Sequence, residues 1–539
     1  MFRLSSLGAF VLLLLIGQAD PVAAFFMPKN GERFNGYQGV TIDSIIIDNQ
    51  NIYDVSQPKY DRFLFKTINS LHIKTTKHII KKEVLLEVGQ PFDSTLAAET
   101  ERNLRRWLNV YDAWVTPQLL GNGNLKVTIT TIDQWSLNGG LEYSREGNDK
   151  KLRLGLTEKN LAGYNIRFTA YYVDDSREGE YFEGSFSDVR FLGYPVLLSA
   201  SYNDNPKAKY RAILLEHPFY NLSQNWSASG LVSFSKGRQD YYNNDSLVGL
   251  ANYSQDLFDG NLTYRFGKRY NKKNVSLLYE YKYEPNTSYG LPAFHSTAAA
   301  DTAYHQFGLK FEYEKYRFYK GKNYDGIDYT EDIFLGRFFA LTYKRAFRTD
   351  FESSYYGKYD LQVAYNLMVS KIMFFSQYDL NFWLDGSEQL RRKQIYSFKS
   401  YYKPLDFLLF AGRINLTLDK INTGLENLIL GGEAGIRGYD TYYQSGQKRL
   451  IANLESRIVT PINFWTVRLG GVVFVDAGKI WNHEDNFDFN DFSMSYGVGL
   501  RIGFENSTQN IVRLDLVHTD LGDWELSAGT GQYFSLPGS

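Results

Sequence analysis

Two patterns of apolar and polar positions divide the chain. From Val40 to Thr131 the pattern is mixed. A β-like run, VTIDSIIID, gives way to a Pro-containing and helical stretch through Leu71, and then to IIKKEVLLEVGQPFDSTLAAETERNLRRWLNVYDAW. In that last part Leu104, Trp107, Leu108 and Tyr111 recur at i, i+3, i+4 and i+7, a spacing that predicts one helical face. Asp93 or Ser94 stands where a side-chain oxygen can cap its first turn. Ala113 to Leu120 and Leu125 to Thr131 then read as strands joined by GNGN, residues that tolerate positive φ. Strand, helix, helix, strand, strand predicts a small α+β domain over residues 40–134.

From about Trp135 the helical spacing stops and alternation takes over, broken by Gly, Asn and Asp clusters. In RLIANLESRIV, Leu450, Ala452, Leu454 and Ile458 oppose Asn453, Glu455 and Arg457; in SMSYGVGLRIG, Tyr496, Val498, Leu500 and Ile502 oppose Gly497, Gly499 and Arg501. NIVRLDLVH sets Val512, Leu514 and Leu516 against Arg513 and Asp515. One face suits lipid and the other a polar lumen. A soluble β-sandwich alternates in the same way. Against it stand the length of the region without a second helical layer and long polar connectors such as YKGKNYDGIDYTED. At roughly 25 residues per strand and connection, residues 135–539 predict an antiparallel transmembrane β-barrel of about 16 strands.

Composition adds the compartment. The start, MFRLSSLGAFVLLLLIGQADPVAA, has a basic Arg3, an apolar run from Leu7 to Ile16 and the small residues Val22, Ala23 and Ala24, so residues 1–24 read as a secretory signal peptide and 25–39 as a linker. The run is well short of the ~20 apolar residues that a membrane anchor needs. Aromatics make up 16% of the chain, with 42 Tyr and 38 Phe, which suits strands and interfacial girdles. With 0 Cys, neither disulfides nor thiolate chemistry enters, and a net charge of -1 gives no nucleic-acid surface.

One stretch stands apart. LGGEAGIRGYD, Leu430 to Asp440, sets Arg437 among glycines that allow tight turns and close approach. Downstream, Glu455 falls on the polar face of its strand, and Asp476 in VRLGGVVFVDAGKIW shares a face with Val472 and Phe474, opposite Val473 and Val475. If Val473 and Val475 meet lipid, both acids point into the lumen, where a guanidinium can bridge them with planar, paired hydrogen bonds. A solvated arginine at a hairpin tip is the plainer alternative.

IRGY followed by ESR and FVDAG resembles the outer-membrane insertase and transporter superfamily that includes the Bam-type assembly barrel, the Tam-type barrel and the two-partner-secretion transporters. The α+β segment, with IKKEVLLEVGQPFDSTLAAETERNLRRW, resembles a polypeptide-transport-associated (POTRA) domain, and TTIDQWSLNGGLEY, LTEKNLAGYNI and LEHPFYNL resemble the family's first barrel strands. The resemblance implies that Ile436, Arg437, Gly438 and Tyr439 form the tip of a loop folded into the barrel, with Glu455 and Asp476 as the acidic partners of Arg437. It implies a lateral seam between the first and last strands, at Leu137, Leu141 and Tyr143 on one side and Glu525, Tyr533 and Phe534 on the other. It also departs from the family in two respects: one POTRA domain fits before Trp135, and Phe534 is not the last residue.

The role implied is assembly of outer-membrane proteins or polypeptide translocation, with the POTRA domain in the periplasm receiving an unfolded client and the barrel inserting or exporting it. Alternatives are an exporter of one cognate protein and a passive channel or structural barrel. Partners expected are outer-membrane lipid, the client, and periplasmic or lipoprotein partners. No cofactor, metal or nucleic acid is expected, and no enzyme: His483 and Glu484 lack HExxH spacing, and the chain has no G-x-S-x-G elbow and no P-loop.

Overall fold

The computed structural model describes residues 31–536 except 147–148, 244–245, 285–287, 291–301, 350–353, 387, 422–427, 433–434 and 508–510. The expected signal peptide, 1–24, and the first part of the linker lie outside the described residues.

The N-terminal unit contains β1 (Ile42–Gln50), α1 (Phe63–Leu71), α2 (Lys77–Glu83), α3 (Ser94–Trp107), β2 (Val110–Leu119) and β3 (Leu125–Asp133). Its sheet runs β1-β3-β2, with β1 parallel and β2 antiparallel to the central β3. Ile42, Val127, Ile129, Ile80, Phe92 and Leu104 form its core. Asp93 caps α3, its Oδ1 accepting from the backbone N–H of Thr95 (2.7 Å) and Leu96 (3.2 Å). The helical face expected to reach Tyr111 ends earlier. Leu108 takes an extended backbone (φ −106°, ψ 157°), and Tyr111 belongs to β2. The i+7 match continues past the helix end by coincidence of spacing.

Among the described residues the barrel closes with 20 antiparallel strands, where about 16 were expected. The error is local. β4 (Leu137–Glu146), β5 (Asp149–Glu158), β6 (Ile166–Asp175), β7 (Gly179–Asp188), β8 (Leu197–Asn203) and β9 (Ala208–His217) are each at most 10 residues long. A step of roughly 25 residues describes only long strands such as Ser246–Lys268.

The expected alternation sets the two faces. Leu454, Val473, Val475, Val498, Leu514 and Leu516 are exposed on the outer wall, while Asn453, Glu455, Arg457, Asp476, Arg501, Arg513 and Asp515 are buried inside. Apolar outside and charged inside inverts the packing of a soluble sandwich and is the arrangement of a wall that meets lipid.

The α+β unit sits across one mouth, held by ion pairs to points around its rim: Glu83 with Arg190 (2.7 Å), Glu99 with Arg269 (2.9 Å), Arg105 with Asp332 (2.7 Å) and Lys59 with Glu505 (2.5 Å). The connector YKGKNYDGIDYTED, expected as a polar loop, is strand at both ends, and its middle turns inward with Tyr324, Asp325 and Ile327 buried. The Glu331 carboxylate folds it back by accepting the backbone N–H of Tyr324, Asp325 and Gly326 at 2.8, 2.8 and 2.9 Å.

Candidate functional site: a charged plug beside a weak seam

Between the strands Leu408–Ile421 and Lys448–Phe464 the chain forms a ribbon inside the lumen, Leu428–Leu430 paired with Gln444–Gly446. Ile436, Arg437, Gly438 and Tyr439 at its tip are all buried. Ile436 packs with Leu430, Tyr439 and Ile451. The Tyr439 hydroxyl lies 2.6 Å from Asp520 Oδ1 and 2.8 Å from the Met494 carbonyl. Gly438 has φ +85°, and a Cβ there would stand 2.8 Å from Val517 and 2.9 Å from Thr519, so both backbone conformation and space demand glycine.

The polar faces of two neighbouring strands supply the partners of Arg437. Glu455 pairs in register with Phe474, and Asn453 with Asp476, which aims both acids at one point in the lumen. Arg437 donates to Asp476 twice, from Nε to Oδ2 (2.7 Å) and from Nη2 to Oδ1 (2.9 Å), and its backbone N–H donates to Oδ2 at 3.2 Å. Its Nη1 lies 2.8 Å from Glu455 Oε1 but outside hydrogen-bond geometry, so Glu455 is a charge contact rather than a second fork. The guanidinium carbon stands 3.5 Å from the Phe474 ring centroid and 4.2 Å from that of Tyr533. Burial alone would lower the proton affinity of Arg437; Asp476, then Glu455 and Asp515, outweigh it and hold the guanidinium charged.

Residues that the sequence reading left unassigned complete the cluster. Asp515 is paired by Arg501 at 2.5 Å and lies 3.6 Å from Arg437. Arg457 ties Glu455 (2.8 Å) to Asp325 of the inward turn (3.2 Å). Asp515, Arg501 and Arg457 were already on predicted polar faces. The usable signal was Gly499, opposite Asp515 in register, where any Cβ would collide with the Asp515 carboxylate.

The expected seam residues separate. Leu137, Leu141 and Tyr143 lie on β4, exposed, and Glu525 lies on the last strand, Trp524–Thr530. Among the described residues these two strands are joined by one register pair, Ala528↔Arg145, whereas β4 pairs with β5 over its whole length, Leu137↔Glu158 to Glu146↔Asp149. Among the described residues this joint therefore carries far less strand pairing than that between β4 and β5.

Tyr533 and Phe534 are not on that seam. The last strand ends at Thr530, Gly531 takes φ +77°, and the tail turns into the lumen. There the Tyr533 hydroxyl donates to the Gly432 carbonyl (2.6 Å), and the carbonyls of Phe534 and Ser535 accept from Arg457 (2.6 Å) and Lys399 (2.5 Å). Leu536 N–H donates to Asp325. The cations of the cluster draw the tail inward, where an extended strand would leave them uncovered. The tail thus binds the tip ribbon to the inward turn.

With this geometry in view, solved structures offer likenesses. The chain is similar to CdiB from Escherichia coli (11% identity, TM-score 0.47, covering 98% of this chain and 84% of that one). It is similar to CdiB from Acinetobacter baumannii (12%, TM-score 0.43, 94% and 76%) and to BamA from Haemophilus ducreyi lacking POTRA domains 1-3 (12%, TM-score 0.42, 92% and 84%). No protein-family model and no curated protein matches the chain.

The described residues hold no cluster of His, Cys, Asp and Glu arranged for a metal ion. What the arrangement offers is mechanical: a cluster of paired charges on the lumen side, next to a wall with one weakly paired joint.

Proposed function

We propose that the protein assembles or translocates polypeptides at the bacterial outer membrane, with the α+β unit acting as a periplasmic POTRA domain that receives an unfolded client and the seam as the place where the client meets the barrel. The observation that carries this reading is the single pair Ala528↔Arg145 joining first and last strands. An unpaired edge templates an incoming strand by main-chain hydrogen bonds. Client folding provides the driving free energy. Arg437, held by Asp476 and Glu455, keeps the lumen closed while the seam works.

Photocrosslinkers or cysteines placed at Leu141 test this. Crosslinks to nascent outer-membrane proteins are expected, with clients ending in the membrane for assembly or outside it for export of a cognate protein. Steady ion conductance with no client crosslink at Leu141 would overturn the reading.

A further inference from the structure

α1 and its flanks do more than complete the α+β unit. On one side, Lys59 Nζ lies 2.5 Å from Glu505, the Tyr60 hydroxyl donates to the same carboxylate (3.0 Å), and Asn506 Nδ2 donates to the Ile52 carbonyl (2.7 Å). On the other, Asn160 Nδ2 donates to the Ile73 carbonyl (3.3 Å) and to Thr75 Oγ1 (3.0 Å), and Thr76 N–H donates to the Gly163 carbonyl (2.9 Å). Glu505 and Asn506 belong to the turn before the strand Val512–Thr519; Asn160 and Gly163 belong to the turn between β5 and β6. In barrel order the last strand and β4 lie between these two attachments. Residues 52–76 therefore cross the lower end of the seam like a strap.

The strap has two faces. Phe65 packs inward with Ile52 and Tyr53, against Tyr60, Ile68 and Trp135, the last of these lying two residues before the start of β4. Outward, Phe63 is 84% exposed, Leu71 68% and Ile73 58%. The adjoining turns of the wall also expose Leu161, Tyr164, Leu192 and Tyr194, the mixture of aliphatic and aromatic side chains found where a barrel wall meets the lipid interface. The bond from Asn160 to Ile73 puts the two sets side by side. The only charge on α1 is Lys66, paired with Asp61 at 2.5 Å, and a lysine stem suits an interface.

We propose that the outer face of α1, with Ile73, seats in the periplasmic leaflet of the membrane, making residues 52–76 a lipid-contacting strap over the seam. The occupant is a lipid surface because the apolar face continues that of the lipid-facing wall. The proposal rests on the membrane reading above, and its test separates the two.

The chain contains 0 Cys, so single cysteines can carry an environment-sensitive fluorophore without background. Full-length protein in phosphatidylethanolamine/phosphatidylglycerol vesicles is labelled at Leu71→Cys, at Leu277→Cys on the outer wall and at Leu119→Cys on the far hairpin of the α+β unit. Bilayer-embedded doxyl lipid and aqueous iodide serve as quenchers. Lipid quenching at position 71 within about twofold of that at 277, and well above that at 119, is expected of an interfacial helix. Quenching at 277 by lipid but at 71 only by iodide overturns the strap; shielding of 71 from both quenchers assigns the face to protein and overturns it too. Iodide quenching at 277 would instead defeat the membrane reading. Phe63→Cys repeats the test should Leu71→Cys fail to fold.

Discussion

Replacing Arg437 by alanine removes the cation on which the lumen converges, and the structure says how much this costs. Breaking a buried ion pair from one side typically costs ~3–5 kcal/mol, because the remaining charge stays buried and unpaired. Not every acid is orphaned here. Glu455 keeps Arg457 at 2.8 Å and Asp515 keeps Arg501 at 2.5 Å. Asp476 keeps the Asn453 amide (2.8 Å) and the backbone N–H of residue 437 (3.2 Å), but has no other ion pair among the described residues. The stacking of the guanidinium on Phe474 and Tyr533 is lost as well, a desolvated cation–π contribution of about 1–2 kcal/mol. Since these contributions overlap, the expected loss is about 4 kcal/mol rather than their sum. Arg437→Lys restores a charge but not the fork, so it should recover less than half of the loss.

The measurement is urea unfolding of the barrel in vesicles, followed by tryptophan fluorescence and by heat-modifiable mobility. Asp476→Asn and the double variant complete a cycle, in which the double variant should be markedly more stable than additivity predicts. A change below about 0.5 kcal/mol for Arg437→Ala, or strict additivity in the cycle, would refute the reasoning, since surface arginines behave in that way.

Three further outcomes follow from the same geometry. Gly438→Val places a branched side chain at φ +85° against Val517 and Thr519, and should lower stability by about 2–3 kcal/mol, read as a lower temperature of the mobility shift. Truncation after Gly531 removes the Tyr533 and Phe534 contacts with Arg437 and Arg457, and should raise single-channel conductance in planar bilayers; unchanged conductance would mean that the tail does not close the lumen. Cysteines at Arg145 and Ala528, opposite each other in register, should form a disulfide whose oxidation blocks client crosslinking at Leu141 and whose reduction restores it.

The legibility of these features in the sequence follows their range. Asp93 capping α3 is a local hydrogen bond between adjacent residues, and the alternation of Val473, Val475, Phe474 and Asp476 is a property of one strand, so both could be read directly. Alternation placed Glu455 and Asp476 on the lumen side, but the glycine-rich loop left a solvated Arg437 open, and only the resemblance of IRGY, ESR and FVDAG turned it toward the two acids. The strand number needed something composition does not carry, the length at which each hairpin turns, and the short strands β4 to β9 defeated an averaged step. Polar composition also misled at Asn323 to Tyr329, because Glu331 satisfies that loop's backbone inside the protein rather than water outside it. The tail failed for a similar reason. Tyr533 and Phe534 look like strand residues until Arg437, Arg457 and Lys399, all distant in sequence, pull them inward.

An apolar plug would fill this lumen at less cost, since a buried ion cluster rarely outcompetes well-packed hydrophobic residues. The difference lies in what happens on opening. An apolar plug withdrawn into a water-filled lumen forfeits its burial outright, whereas charged groups recover their hydration when their partners leave. The pairs Arg437 with Asp476, Arg457 with Asp325, and Arg501 with Asp515 each join segments that are separate in the chain, so each can be exchanged for water singly. The glycines at 438 and 499 keep the pieces close without bulky side chains interlocking. A lumen cluster built in this way rests on many replaceable contacts, which is what the proposed function would require of a barrel that is tight at rest and admits a client at its seam.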